Sequence, residues 1–264
     1  MAREPFSLVI ITFNNADTLE QCLEAADFAD EIVVLDSGST DATVEIAKRH
    51  GARVAINPFD DYGPQKQRAI DMAAHDWILN LDADEVLSPG TRGVIEHALE
   101  SPAAAGFRLP RRERMFWGVQ HPWSHRNGHL RLFDRRRGRM NAVPVHAAVE
   151  VDGPVATLHR ADFVNMGDDD IAARVAKINR YSSGMVADKL ARRQRFSGPM
   201  MLVYPPIFFV RQYVFKRYFL SGWAGFVASV LGSFYVFLKY AKLHEARRAG
   251  TGDWGLGTGE DQEP

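Results

Sequence analysis

Three short apolar runs, each closing on a polar cluster, constrain the fold of this chain more than any other feature. Ser7 to Phe13 is rich in β-branched residues and gives way to the turn formers of Thr12-Phe13-Asn14-Asn15. Glu31-Ile32-Val33-Val34-Leu35 runs into Asp36-Ser37-Gly38-Ser39-Thr40-Asp41, and Trp77-Ile78-Leu79-Asn80-Leu81 delivers Asp82-Ala83-Asp84. Short, almost wholly apolar runs bounded by turn signals are the pattern of buried parallel strands. Between them, Ala16 to Ala26 has a helical period with Leu19 and Leu23 on one face, and Ala42 to His50 reads as a second helix. Arg53 to Ile56 is a short strand, and Pro64 to Ala74 a third helix with Pro64 near its start. Strand–helix alternation with short links predicts an α/β fold built on a doubly wound parallel sheet. Ligands of such sheets bind beyond the carboxyl ends of the strands, where all three polar clusters fall.

The second half has a different texture. Gly106 to Pro110, Leu130 to Phe133 and Val143 to Val151 read as strands of a mixed sheet, separated by loops rich in Arg, Trp and His. Ile171 to Leu190 reads as a helix, and the chain turns strongly aromatic and apolar from Met200 onward. The stretch Gly222 to Leu238 carries no charge and is flanked by Lys216-Arg217 and by Lys239, Lys242, Arg247 and Arg248. A core-packed helix, an interfacial helix and a membrane span all fit it, and its length is at the short limit for spanning. The Gly-rich acidic stretch 249–264 has no period and is expected to be disordered. These readings divide the chain into an α/β domain over residues 1–165, a helical extension over 166–248 and the tail. Within the domain, a nucleotide-binding half covers about 5–100 and an acceptor half 101–165.

Composition closes some classes. The 32 basic and 33 acidic residues give a net charge of -1, so no whole-chain argument for nucleic-acid binding exists. The single cysteine, Cys22, rules out an intrachain disulfide and fits a reducing compartment; its helical setting predicts a buried structural thiol. Leu8 to Ile11 is too short for the apolar core of a signal peptide, so a cytoplasmic location is expected.

The acidic pair Asp82 and Asp84 can be a solvated turn. At the mouth of a parallel sheet, however, two carboxylates repel unless a cation sits between them, and hard oxygen ligands suit Mg2+ or Mn2+ bridging a diphosphate. Ser39, Thr40 and Asp41 can cap the following helix, while Asp36 stands where it could accept from a base or ribose, with Ser37 beside it.

Together with Ile10-Ile11-Thr12-Phe13-Asn14, Tyr62-Gly63-Pro64-Gln65-Lys66 and Asp82-Ala83-Asp84-Glu85, these segments resemble the family-2 glycosyltransferases. They are most similar to the bacterial branch that glucosylates the lipopolysaccharide core. The likeness continues through Leu130-Arg131-Leu132-Phe133, Val145-His146 and Lys177-Ile178-Asn179-Arg180-Tyr181, to about Glu245. It implies a GT-A fold, an inverting transfer from a nucleotide-sugar (UDP-glucose first), and a divalent metal. It implies a base contact by Asp36 with Thr12 and Asn14 nearby, Lys66 and Arg68 near the nucleotide, Asp82 on the ribose and metal side, and Asp84 as direct metal ligand. The implied acceptor is a glycolipid or other cell-envelope glycan, met at the inner face of the cytoplasmic membrane through a peripheral contact. Arg111-Arg112-Arg114 and Arg135-Arg136-Arg137 can meet phosphates there or be solvated faces.

The chain also departs from that pattern. Where the family carries an acidic residue before the Leu-Arg-Leu-Phe segment, its general base, this chain has Asn127; Ala147 follows His146 where Glu is usual. His125 or His129 can take the proton instead, Glu113 or Asp134 can reach in, or the enzyme is weak. His146 can be a third metal ligand or a structural histidine. Two other functions compete. A nucleotidyltransferase would need a Gly-rich, Arg- and Lys-bearing loop after the first strand, which is missing here. A catalytically inactive nucleotide-sugar-binding relative is kept open by Asn127 and Ala147.

Overall fold

A computed structural model of the chain describes residues 2–141, 147–167, 170–191 and 199–248. The chain forms two compact units, one of residues 1–114 and 126–167 and the other of 115–125 and 168–264. The segment 115–125 thus leaves the α/β unit and joins the C-terminal helices.

In the first unit β1 (Phe6–Thr12), α1 (Ala16–Ala25), β2 (Glu31–Asp36), α2 (Thr43–Arg49), β3 (Arg53–Ile56), α3 (Tyr62–Met72) and β4 (Trp77–Asp82) alternate as the apolar pattern predicts. α3 begins two residues before the expected Pro64 because the Asp61 carboxylate accepts from the Tyr62 amide at 2.7 Å and starts the helix there. The strand β5 (Glu85–Leu87) and the helix α4 (Thr91–Glu100), neither expected from sequence, follow, then β6 (Gly106–Met115). A two-residue strand, β7 (Gly118–Val119), belongs to the second unit. β8 (Gly128–Asp134), β9 (Gly138–Met140), β10 (Val149–Val151), β11 (Val155–Thr157) and β12 (Phe163–Asn165) complete the first. The strand expected over Val143 to Val151 is observed only as β10, and residues 142–146 lie outside the described residues.

The sheet order is β3-β2-β1-β4-β8-β6-β12-β5, with β11 on β6. β1 pairs in parallel with β2 and β4 along both edges, packed residues cover both faces, and six of its seven residues are buried. Leu19, Cys22 and Leu23 of α1 pack on one face of the sheet with Leu8, Ile10, Leu79 and Leu81; Ala69 and Ile70 of α3 pack on the other with Val9, Val33 and Ile78. Cys22 is the buried structural thiol expected, and burial, then the charges of Glu85, Asp84 and Asp82, push its pKa upward. β8 runs antiparallel to both of its neighbours, β4 and β6, making the sheet mixed.

The second unit holds α5 (Ile171–Ala191), α6 (Met200–Val210) and α7 (Gly222–Arg248). α7 runs ten residues past the uncharged stretch that marked it in the sequence, 248 against 238. Its first turn presses on the preceding segment: a Cβ on Gly225 would lie 1.9 Å from the Tyr218 carbonyl oxygen, so no other residue fits. α5 docks on α7 through Val186, Leu243 and Ala246, and Lys242 donates to the Asn179 carbonyl at 2.8 Å. The tail 249–264 lies outside the described residues.

Candidate active site

Parallel pairing sets Thr12 beside Asp36 and Ile11 beside Asp82, so the three polar clusters share one edge of the sheet. The first two are tied together by their side chains. Asn14 adopts a left-handed φ of 51°, a conformation Asn tolerates, and its side-chain oxygen accepts from the Thr40 amide at 2.8 Å. Ser39 Oγ accepts from the Asn14 amide at 2.8 Å, and Thr43 Oγ1 from the Asn15 amide at 2.8 Å. Asp36 is only 1% exposed. Its carboxylate accepts from the Gly38 and Ser39 amides, both at 2.8 Å, and from Ser39 Oγ. In this state Asp36 shapes its own loop, and Gly38 supplies the φ of 96° that the turn requires.

The Asp82-Ala83-Asp84 turn divides its two carboxylates between different environments. Asp82 is bound by Lys66 of α3 on one oxygen and by Arg131 of β8 on the other, the latter at 3.0 Å. Arg131 also pairs with the fully buried Glu85, which accepts from the Asp82 amide at 3.2 Å. Burial alone would raise the Asp82 pKa, but Arg131 and Lys66 outweigh it and hold Asp82 ionised. Glu85 goes the other way: burial, with Asp82 nearby, lifts its pKa despite Arg131. Asp84 accepts a hydrogen bond from the Asn165 side-chain Nδ2 at 3.1 Å, and its pKa is raised by burial and then by the charge of Asp82. Arg131, Glu85 and Asn165 were not singled out from sequence. Arg131 does carry a signal, a charge inside the apolar strand Leu130-Arg131-Leu132-Phe133.

A cavity of about 660 Å³ opens at this edge, lined by Thr12, Ser37, Lys66, Asp82 and Asp84 among others. Its volume lies within the range of nucleotide- and drug-sized sites. The exposed rings of Phe59 and Tyr62 meet edge to face at 5.0 Å on its wall. No group of three or more His, Cys, Asp or Glu able to cage a cation exists among the described residues. The donor set nevertheless fits a hard divalent ion. Asp84 is a cavity-facing carboxylate disfavoured in its charged form, and Mg2+-type ions take one or two carboxylates with water and substrate phosphates. Both Asp82 oxygens are held by cations, whereas Asp84 forms no ion pair among the described residues.

The other predicted residues are placed less centrally. Arg68 pairs with Asp60 at 2.7 Å and does not line the cavity. Asp134 sits opposite Trp77, at the far end of β4 from Asp82, and pairs with Arg136. Arg135 there donates to the Ile70 and Ala73 carbonyls, so this end of the arginine cluster serves the fold. His125 is an exposed residue of the second unit, its amide donating to the Lys216 carbonyl at 3.0 Å. His146 lies outside the described residues. The Asn127 carbonyl accepts from the Arg111 amide at 2.9 Å, two residues before Glu113 on β6. Glu113 is in register with Asn165, the residue that holds Asp84.

His129 does not line the 660 Å³ cavity. Burial first, then the charges of Arg111, Arg131 and Arg108, lower its pKa to about 4, which weakens it as a proton acceptor near neutral pH. The shift has a stability consequence. Between pH 6.5 and about 4 the folded chain binds fewer protons at this residue than the unfolded chain, so stability falls as pH drops through that window. His129→Gln should flatten the fall in Tm between pH 7 and pH 4.5; an unchanged slope would contradict the burial of the neutral ring.

Comparison with known proteins places the chain. The sequence profile described as "Glycosyl transferase family 2" matches residues 7–163, more than half of the chain. A lipopolysaccharide core biosynthesis glycosyltransferase, LpsC, of Rhizobium meliloti (strain 1021) is 28% identical over 249 residues, covering 91% of this chain and 92% of that protein. An uncharacterized glycosyltransferase of Rickettsia bellii (strain RML369-C) is 31% identical over 260 residues, covering 90% and 86%. Glucosyl-3-phosphoglycerate synthase of Mycobacterium tuberculosis, solved with Mn2+, UDP and glucosyl-3-phosphoglycerate, overlaps 42% of this chain and 44% of its own at 24% identity and a TM-score of 0.36. That overlap is too small to carry a conclusion about this chain.

Proposed function

The chain belongs to glycosyltransferase family 2 and has the GT-A α/β fold with a C-terminal helical extension; from that premise we propose that it moves a sugar, with inversion, from a nucleoside-diphosphate donor in the 660 Å³ cavity to a cell-envelope glycan. The observation that carries the reading is Asp84, an acid facing the cavity that forms no ion pair among the described residues and whose charged form is disfavoured by burial and by Asp82. The nucleotide would enter between Thr12 and Ser37 on one side and the Phe59–Tyr62 pair on the other, where an exposed ring can stack on a base. Asp84 would hold a divalent ion, Mg2+ or Mn2+, whose charge would offset that developing on the diphosphate leaving group. Lys66 and Arg131 keep Asp82 ionised and fixed, so the turn presents Asp84 in one place. UDP-glucose is the first donor to test, and the likeness to LpsC supports an acceptor of the lipopolysaccharide core.

Inversion needs a base on the acceptor side. Glu113 is the acid best placed for it. It stands beside Asn165 on the neighbouring strand, near the position where Asn127 replaces the expected acid. Glu113→Gln should lower transfer about 100-fold while UDP binding stays within twofold. Equal loss of binding would make Glu113 structural, and unchanged transfer would point to His125 or His129. A parent chain that binds UDP but turns over no acceptor would favour the inactive-relative reading that Asn127 keeps open.

The second unit supports a membrane contact. Tyr218–Arg247 is the one helical stretch among the described residues long and apolar enough to cross a bilayer; an 18-residue window within it has mean hydropathy 1.5 and is 22% buried. Phe215 and Trp223 are 76% and 75% exposed next to Lys216 and Arg217, the amphipathic composition of an interfacial anchor. We read it as lying on the inner face of the cytoplasmic membrane. The chain should float with vesicles containing anionic lipid, and Phe215→Asp with Trp223→Asp should leave most of it in solution; equal flotation of the double variant would reject this surface.

A further inference from the structure

β12 ends on Asn165, and the contacts of that residue set the two acids of the Asp82-Ala83-Asp84 turn apart. Phe163 anchors the strand: it is fully buried, and the Arg131 guanidinium lies 5.4 Å from the centre of its ring. Asn165 falls on the same face two residues later, by the period of a strand. It stands in register with Glu85 on β5 and with Glu113 on β6. Its Nδ2 donates to Asp84 Oδ2 at 3.1 Å. Chemistry fixes which end of the amide faces the acid, since an ionised carboxylate only accepts. The main chain adds a second contact, the Met166 amide donating to the Asp84 carbonyl at 2.7 Å. Gly167 then passes close by: a Cβ there would stand 3.0 Å from Asn165 Oδ1 and 3.5 Å from Asp84 Oδ2. The end of β12 therefore grips Asp84 by its main chain and by its side chain.

The kind of donor matters. Asp82 is held by Lys66 and Arg131, two cations that offset the charge it could offer a metal. Asp84 forms no ion pair among the described residues, and the side chain that donates to it is a neutral amide. An amide on one oxygen fixes the plane of a carboxylate, and with it the direction of the second oxygen, without neutralising the group. A lysine or arginine in that place would also fix the plane, but would compete with any cation that Asp84 is to bind. Both Asp84 and Asn165 line the 660 Å³ cavity.

We propose that Asn165 is the positioning residue of the divalent-cation site: it holds Asp84 Oδ2 and leaves Oδ1, charged and fixed in direction, to the ion. Partners that orient a metal-ligating side chain typically contribute about 10–100-fold in metal affinity. The proposal rests on the reading of Asp84 as metal ligand given above; the grip of β12 on Asp84 does not.

The test is binding of Mn2+ to the full chain, with and without saturating UDP, read by electron paramagnetic resonance from the loss of the free-ion signal. Asn165→Leu keeps the size and removes the donor, and should weaken Mn2+ binding roughly tenfold. Asn165→Gln, a longer neutral amide, should recover part of that loss. Asn165→Lys, which brings a competing cation, should weaken binding further than Asn165→Leu does. UDP affinity without metal should stay within twofold of the parent in all three. Gly167→Ala presses on Asn165 while leaving it in place, so it should also weaken Mn2+ binding, and it carries the test should Asn165→Leu fold poorly. Equal Mn2+ affinity in the parent and Asn165→Leu, Mn2+ binding by Asn165→Lys as tight as the parent's, or a matching loss of metal-free UDP affinity would each overturn the positioning role while leaving Asp84 as ligand. A parent that binds no Mn2+ even with UDP would overturn the metal reading and this proposal together.

Discussion

Arg131→Met is expected to cost the fold about 3–5 kcal/mol, the loss typical when one partner of a buried ion cluster is removed. Arg131 is 9% exposed and binds Asp82 and Glu85 at once. Met fills similar space, so the loss is electrostatic rather than a cavity. Glu85, with no exposed surface, would be left without its cation, and its already raised pKa means that it would take up a proton rather than stay charged. That escape keeps the cost within the stated range. Arg131→Lys should recover only part of the loss, because the shorter side chain must bring its ammonium to the place where one guanidinium nitrogen, Nη2, meets both carboxylates. Urea unfolding would measure both; a loss below about 1 kcal/mol for Arg131→Met would mean that the cluster breaks even against an apolar replacement.

Asp84→Asn should separate activity from stability. The amide occupies the same volume but no longer offers a charge to a metal, and transfer should fall by about three orders of magnitude, equivalent to several kcal/mol of leaving-group stabilisation. The folded chain should not suffer. Burial and the neighbouring Asp82 disfavour the ionised Asp84, so at neutral pH its charge works against the native state and its removal should leave Tm unchanged or higher. This is the pattern of a site whose strain serves its ligand. A variant that loses stability and activity together would recast Asp84 as a structural residue.

How far the sequence reaches depends on the distance over which each feature is encoded. The strands β1, β2 and β4 are legible because each is a local apolar run ending at a turn, and their carboxyl ends locate Thr12, Ser37, Asp82 and Asp84 on one cavity. Asp36 was located correctly at its strand end, yet its carboxylate is occupied by Gly38 and Ser39, a detail set by loop geometry. Arg131, Glu85 and Asn165 were invisible for another reason. Arg131 and Asn165 reach Asp82 and Asp84 across 49 and 81 residues, contacts that only the strand pairings of β8 and β12 create, while Glu85 lies three residues from Asp82 and gains its cation only when β8 brings Arg131. Nothing local distinguishes His129 from His125, which the fold assigns to different units.

Release of nucleoside diphosphate from UDP-glucose, followed with Mg2+, with Mn2+ and after chelation, tests the central claim most directly. The account predicts release that depends on the divalent ion, returns when it is restored after chelation, and is lost in Asp84→Asn. Release that persists at full rate in chelator, or in Asp84→Asn, would contradict it.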